Sequence, residues 1–269
     1  MTDAFPRGRF VWYELATSDP VAAQRFYTQL IGWTTKEGTA ADQPYTEWVN
    51  GGTHIGGVMQ LAEEAKKAGA PPHWLAYVAV PSVDETLQQA EGLGAKKLMG
   101  PMDIPTVGRF AVIQDPQSAV LAIYTPADEA PGHGGEPAIG EFSWHELSTS
   151  DYAAAFDFYS ALFGWVKTEA MDMGPDGIYQ MYGRVPGQAL GGMFNTPADQ
   201  PGPPASWLYY VTVPDVHAKV EQVKQLGGQV LNGPMAVPDG DIVAQCMDPQ
   251  GAAFAIHSKK PSAWPRGAL

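Results

Sequence analysis

The chain has 269 residues, 45% of them hydrophobic and 17% charged, with 30 glycines and 24 prolines, a composition that suits one large or two ordinary globular domains and excludes a disordered chain. Sixteen Lys and Arg against 29 Asp and Glu leave a formal charge of −13, which repels nucleic acid and anionic membrane. No apolar run reaches the roughly 18 residues of a membrane-spanning helix.

The opening residues have no apolar core of a secretory leader, and the single cysteine, Cys246, excludes an internal disulfide framework or a Cys-based zinc site. A soluble cytoplasmic protein is expected, with Cys246 a buried structural thiol.

In chain order, a β-rich run over 10–17 comes first. A helix follows, N-capped by Asp19 with Pro20 at its first position. Ala23, Phe26, Tyr27, Leu30 and Ile31 give it one apolar stripe at helical spacing. Short strands over 33–38, 45–50, 54–61 and 74–80 are separated by Gly/Pro punctuation. A second helix opens on the capping box Ser82-Val-Asp-Glu85 and ends near Gly92 or Gly94. Strands over 96–102, 109–114 and 119–125 complete the set.

The whole pattern then recurs. Phe10-Val-Trp12-Tyr-Glu14-Leu returns as Phe142-Ser-Trp144-His-Glu146-Leu, a shift of 132. Phe26-Tyr27 returns as Phe158-Tyr159 at that shift, and Asp115-Pro-Gln117 returns as Asp248-Pro-Gln250 at 133. The second copy of the second helix runs from Asp215 to Gly227. A period this long means duplicated domains, since solenoid repeats run about 20 to 50 residues. The expected divisions are a first module over 1–126, a Gly/Pro linker over 127–138, a second module over 139–260 and a tail over 261–269. Each module reads as two βαβββ units in an α+β fold.

Paired βαβββ units, with the Phe-Tyr helices and the Asp-Pro turn before a final strand, resemble the vicinal oxygen chelate superfamily. That group holds glyoxalase I, extradiol dioxygenases, fosfomycin-resistance enzymes and bleomycin-binding proteins; the chain is most similar to its tandem glyoxalase-like members. The resemblance implies two open eight-stranded cups related by a pseudo-two-fold axis. It also implies a divalent metal held by His on the first strand, His opening the fifth and Glu on the eighth. Counting from shared landmarks, those positions fall on Trp12, His73 and Ala122 in module one, and on Trp144, Ser206 and Ala255 in module two. A single imidazole among six positions does not hold a catalytic ion. No cofactor is therefore expected, and a divalent metal on displaced ligands stays open.

Strand alternation identifies the displaced candidates. Glu14 and Glu146 share a face with Trp12 and Trp144, and Tyr124 and His257 share one with Ala122 and Ala255. Pairing within a module brings Glu146 toward His257 and Glu14 toward Tyr124, with His73 a third candidate there, whereas pairing across modules brings Glu14 toward His257. A carboxylate within an apolar strand must be hydrogen-bonded, paired, protonated or coordinated. Glu14, Glu146, Tyr124 and His257 are accordingly the candidate catalytic groups, against the plainer reading of structural or solvated side chains. Trp12, Trp144, His73, Tyr77 and Tyr210 are candidate ligand contacts, against the plainer reading of aromatic core. His145 faces away from Glu146 and reads as structural. Gly56-Gly57 and Gly191-Gly192 signal bulges or close approach within strands.

The leading expectation is a glyoxalase/bleomycin-resistance-like protein whose cups bind a small, partly aromatic molecule without the usual metal. The alternatives are a metal-dependent lyase or dioxygenase with displaced ligands, and a metal-free enzyme using a cup glutamate as general base. The expected partner is a small molecule, with neither nucleic acid nor membrane, and the expected state a monomer or homodimer.

Overall fold

The computed structural model describes residues 6–40, 43–127, 135–197 and 205–260. Most of the expected linker (residues 128–134) and the expected tail over 261–269 lie outside the described residues. The first module runs β1 (Phe10–Thr17), α1 (Pro20–Leu30), β2 (Thr34–Ala40), β3 (Gln43–Asn50), β4 (Thr53–Gln60), α2 (Glu63–Lys67), β5 (His73–Ala79), α3 (Val83–Gly92), β6 (Lys96–Ile104), β7 (Gly108–Gln114) and β8 (Val120–Pro126). The second runs β9 (Phe142–Thr149), α4 (Tyr152–Phe163), β10 (Val166–Asp172), β11 (Ile178–Val185), β12 (Gln188–Asn195), β13 (Ser206–Thr212), α5 (Val216–Gln225), β14 (Gln229–Ala236), β15 (Ile242–Met247) and β16 (Ala253–Ser258).

The helices form where their caps and stripes dictate. Asp19 accepts the Ala22 amide, Ser82 the Glu85 amide, Asp151 those of Ala153 and Ala154, and Asp215 those of His217 and Ala218. Each cap satisfies amides that the first helical turn leaves unpaired. Ala23, Phe26, Tyr27 and Leu30 are buried as the stripe requires. Helix α2 is one element the βαβββ reading does not include. Glu63 and Glu64 at its start and Lys66 and Lys67 at its end complement its dipole, and Lys66 pairs with Glu63. Among the described residues, no helix is long and apolar enough to cross a membrane.

Two eight-stranded sheets share one strand order, β2-β3-β4-β1-β5-β8-β7-β6 and β10-β11-β12-β9-β13-β16-β15-β14. Every strand pairs within its own module, so each cup is built from one module alone and no strand pairing draws Glu14 toward His257. The central strands β1 and β5 run antiparallel, whereas β1 with β4 and β5 with β8 run parallel. The sheets stay open at β2 and β6, and at β10 and β14.

The modules meet through their helix-covered faces, and the contacts are reciprocal. The Tyr27 hydroxyl donates to Asp248 at 3.0 Å, and that of Tyr159 to Asp115 at 2.9 Å. The Trp33 indole N–H donates to the Gly140 carbonyl at 2.7 Å, and that of Trp165 to the Gly8 carbonyl at 2.8 Å. Helix α1 packs on α5, and α3 on α4. Such pairwise reciprocity is an isologous interface folded into one chain. It runs through a continuous core drawn from both modules, in which Cys246 is fully buried and its thiol pushed up to about 12 by desolvation. On the pseudo-two-fold itself, Phe10 stacks on His145 and Tyr13 on Phe142, with ring centroids 3.7 Å apart in each pair.

Candidate functional site

Strand alternation divides β1 between the two faces of its sheet. Phe10, Tyr13 and Leu15 enter the shared core, leaving Trp12 and Glu14 for the opposite, cup face. A register shift between Phe10 and Trp12 marks a bulge, so Val11 joins Trp12 on the cup side, packed with Tyr77, Ala79 and Tyr124. Across the sheet, Trp12, Tyr77 and Ala122 form one row, and Trp144, Tyr210 and Ala255 form its copy.

Each cup glutamate is gripped by tyrosines. Glu14 accepts from the Tyr45 and Tyr77 hydroxyls, each at 3.2 Å, and the Trp12 indole N–H donates to the Tyr45 oxygen at 2.9 Å. Glu146 accepts from Tyr179 and Tyr210, each at 2.9 Å, and from the Gln245 amide at 3.2 Å, while Trp144 donates to Tyr179 at 2.7 Å. Both glutamates are half-buried. Desolvation nevertheless lifts both pKa values above the usual carboxylate range, against the opposing pull of the phenol bonds and, at Glu146, the amide bond. The four tyrosines are pushed up in turn, first by burial and then by the facing carboxylates, and stay protonated donors.

The glycine pairs make room for this cluster. A Cβ on Gly57 would overlap the Tyr45 hydroxyl, and one on Gly192 the Tyr179 ring. Gly56 and Gly191 lie against the backbone carbonyls of Tyr13 and His145. The close approach that the sequence signals is thus that of a phenol onto its glutamate.

The other candidates lie apart from the glutamates. His73 is on the Ala16 row, four residues along β5 from Tyr77, and its Nδ1 bonds the Pro71 carbonyl at 2.8 Å. Tyr77 and Tyr210, rather than His73 and Ser206, stand between the outer positions implied for the metal. Tyr124 donates to the Val107 carbonyl at 2.8 Å and does not join Glu14. His257 occupies the Thr212 row, two rows from Glu146 with the Trp144 row between. It bonds Asp241 at 2.9 Å through Nε2 and Ser143 at 3.0 Å through Nδ1. The expected approach of Glu146 and His257 therefore gives way to two separate clusters in one cup. His145 is structural as read: it is buried, bonded to Tyr13 and the Leu190 carbonyl, and its pKa is lowered to about 4 by desolvation.

Trp, Tyr and Ala in the central row of each cup supply no imidazole or carboxylate donor, so the superfamily's metal does not fit there. Among the described residues, no three His, Cys, Asp or Glu gather as a ligand set elsewhere. Tyr45, Tyr179, Gln245, Ser143 and Asp241 are site residues that sequence reasoning passes over. The repeated glycine pairs were the signal for the first two.

The model of the Glyoxalase/Bleomycin resistance protein/Dioxygenase superfamily matches residues 9–123 and again 141–256. CFP32 of Mycobacterium tuberculosis, whose name carries a provisional glyoxylase label, is 30% identical over 263 residues, covering 93% of this chain and 94% of that protein. The anthracycline biosynthesis protein DnrV of Streptomyces peucetius is 30% identical over 267 residues, covering 94% of each. Among solved structures, the Mn(II)-bound glyoxalase from Novosphingobium aromaticivorans aligns with a TM-score of 0.63 at 16% identity, over 96% of this chain and 83% of that one. The 2,3-dioxygenase LapB from Pseudomonas sp. KL28 aligns at 0.64 and 11%, over 100% and 97%. Two matched modules, two cups and relatives aligned along nearly their whole length place this chain in the Glyoxalase/Bleomycin resistance protein/Dioxygenase superfamily.

Proposed function

We propose that each cup binds a small hydroxylated aromatic molecule, with Glu14 or Glu146 accepting a hydrogen bond from the ligand's hydroxyl. The observation that carries this reading is the repeated cluster of one half-buried glutamate, two phenols and an indole. A carboxylate offers about four lone-pair sites, and Glu14 uses two of them on tyrosines. Flat aromatic walls with few inward polar groups suit a planar ligand. The relationship to proteins of anthracycline biosynthesis supports a polycyclic, hydroxyl-bearing class. The central rows supply no imidazole or carboxylate to hold a metal, so the ligand's hydroxyl meets the glutamate directly. We also propose a cytoplasmic protein, a reading that its single cysteine supports, in the form of a monomer or homodimer, which its internal duplication supports.

A second reading rests on the same carboxylates. Their raised pKa values favour a general base, so a bound hydroxyl would also be a candidate for deprotonation.

The test is titration with 1,4-dihydroxyanthraquinone, read by quenching of tryptophan fluorescence, with unsubstituted anthraquinone as control. The hydroxylated probe should bind more tightly. Glu14→Gln and Glu146→Gln should each weaken one cup by about 5- to 150-fold, the equivalent of about 1 to 3 kcal/mol for an unpaired polar group. Because the strands of each cup belong to one module, the two losses should be independent. Equal binding of the two probes, or unchanged affinity in both variants, would refute the reading.

A further inference from the structure

Cup two carries a second polar cluster that the glutamate does not use. Asp241 accepts from the Lys260 amide at 2.7 Å and faces His257 Nε2 at 2.9 Å. Desolvation of Asp241 is outweighed by those two bonds together with the neighbouring His257 and Lys259 charges, so its pKa is lowered. An ionised carboxylate is an acceptor only, so in a singly protonated ring it fixes the N–H of His257 on Nε2. Nδ1 is then an acceptor, and the group 3.0 Å from it is the Ser143 hydroxyl. The longer alternative acceptor for that hydroxyl is the Tyr210 carbonyl at 3.3 Å. Ser143 is partly exposed, and the His257 and Asp241 side chains keep 16% and 27% of their surface.

The cluster exists in one module only. At the shifts of 132 and 133, Ser143, His257 and Asp241 correspond to Val11, Tyr124 and Gly108. All three positions differ together, and a side chain at Gly108 would collide with the Tyr124 ring. Module one therefore holds an apolar packing solution where module two holds a hydroxyl, an imidazole and a carboxylate. The register shift between Tyr210 and Val211 marks the bulge that carries Ser143 to the cup side.

We propose that Ser143, His257 and Asp241 form a nucleophilic relay that cleaves aryl esters, with the aromatic leaving group resting on the half-buried Trp144 one row away. The Ser143 oxygen attacks the ester carbonyl carbon as its proton passes to His257 Nδ1. The carbon–oxygen bond to the phenol breaks, and His257 returns the proton to the leaving phenolate. A water molecule then attacks the acyl-serine, again giving its proton to His257, and releases a carboxylic acid and free Ser143. Asp241 acts through His257 and is a positioning residue.

The experiment treats the full chain with a fluorophosphonate, which bonds to an activated serine oxygen and expels fluoride, and locates the adduct by peptide mass mapping. One adduct on Ser143 is expected. Hydrolysis of p-nitrophenyl acetate should fall roughly 100-fold or more in S143A and H257Q, the usual weight of nucleophile and base. D241N should slow labelling, because the carboxylate that holds the His257 tautomer is then lost. Absence of an adduct on Ser143 in the wild-type protein overturns the proposal whatever the variants do. So does hydrolysis by a folded S143A at the wild-type rate, or full labelling of H257Q.

Discussion

Replacing His145 by Phe should make stability less sensitive to acid by an amount the structure fixes. In the folded chain His145 is neutral: Nδ1–H donates to the Leu190 carbonyl at 2.8 Å, and Nε2 accepts from the Tyr13 hydroxyl at 2.6 Å. Desolvation holds its pKa at about 4, against 6.5 for an ordinary histidine. The sign follows from that depression. Above pH 6.5 the ring is neutral folded or unfolded, and its contribution is intact. As pH falls from 6.5 toward 4 the unfolded chain takes up the proton first, and stability is lost. At pH 5 the loss is about 2 kcal/mol, and it approaches about 3.4 kcal/mol once both states are protonated. His145→Phe keeps the stack on Phe10 and removes the titration, at a pH-independent cost of about 1 to 3 kcal/mol for the unpaired Tyr13 hydroxyl and Leu190 carbonyl. Urea unfolding of both proteins at pH 7.5 and pH 5 gives the measurement. The stability gap between them should narrow by about 2 kcal/mol at the lower pH. A gap that is constant with pH, or that widens in acid, would refute a buried neutral imidazole at the module interface.

Two further outcomes follow from the cups. Glu14 and Glu146 have raised pKa values, so their burial favours the fold most below the ordinary value of 4.5, and that contribution is lost as pH rises through the folded values. In Glu14→Gln and Glu146→Gln, unfolding free energy should therefore fall less than in the wild type from pH 4.5 upward; an identical profile would show these carboxylates to be unshifted. Gly57→Ala and Gly192→Ala should displace Tyr45 and Tyr179, breaking two hydrogen bonds each at a cost of about 1 to 3 kcal/mol. Thermal melting alongside tyrosine and tryptophan fluorescence reads this out, and an unperturbed Gly192→Ala protein would contradict the close packing.

The sequence makes the strands, the helices and the face of each cup glutamate legible, because periods of 2 and 3.6 and four N-caps are local properties. Its Trp-x-Glu-Leu repeat also identifies the carboxylate that each cup holds. What it hides depends on register. Tyr45 and Tyr179 sit on β3 and β11, where insertions shift the repeat to 134, so comparing the copies does not align the phenols. Ser143 reads as facing away from Trp144 by strict alternation, and the bulge that reverses it is visible only in the pairing of β9 with β13. Asp241 lies in the turn before β15, outside any periodic pattern. Two rows of sheet separate His257 from Glu146, a distance that a face assignment alone does not convey.

Which positions the two copies share, and which they do not, divides by physical role. Contacts that cross the pseudo-two-fold are mostly kept in pairs, such as Tyr27 with Asp248 and Tyr159 with Asp115. Each of those aspartates also accepts amides of its own turn, Gln117 and Ala119 for Asp115 and Gln250 and Ala252 for Asp248. A change at either would break the turn and the interface together, which ties both copies to one solution. The axis itself is the exception: Tyr13 and His145 are equivalent positions that meet each other. Two tyrosines or two histidines would both meet there as like groups, whereas one of each makes a directed bond from phenol to imidazole. Among the described residues, the hydrogen bonds of the cup clusters stay within one module, so none of them imposes a match. Val112 and Gln245, Val11 and Ser143, Tyr124 and His257 have diverged there, while the glutamate, its two phenols and its indole remain in both. Duplication has thus left an interface that requires pairing and two cups free to differ.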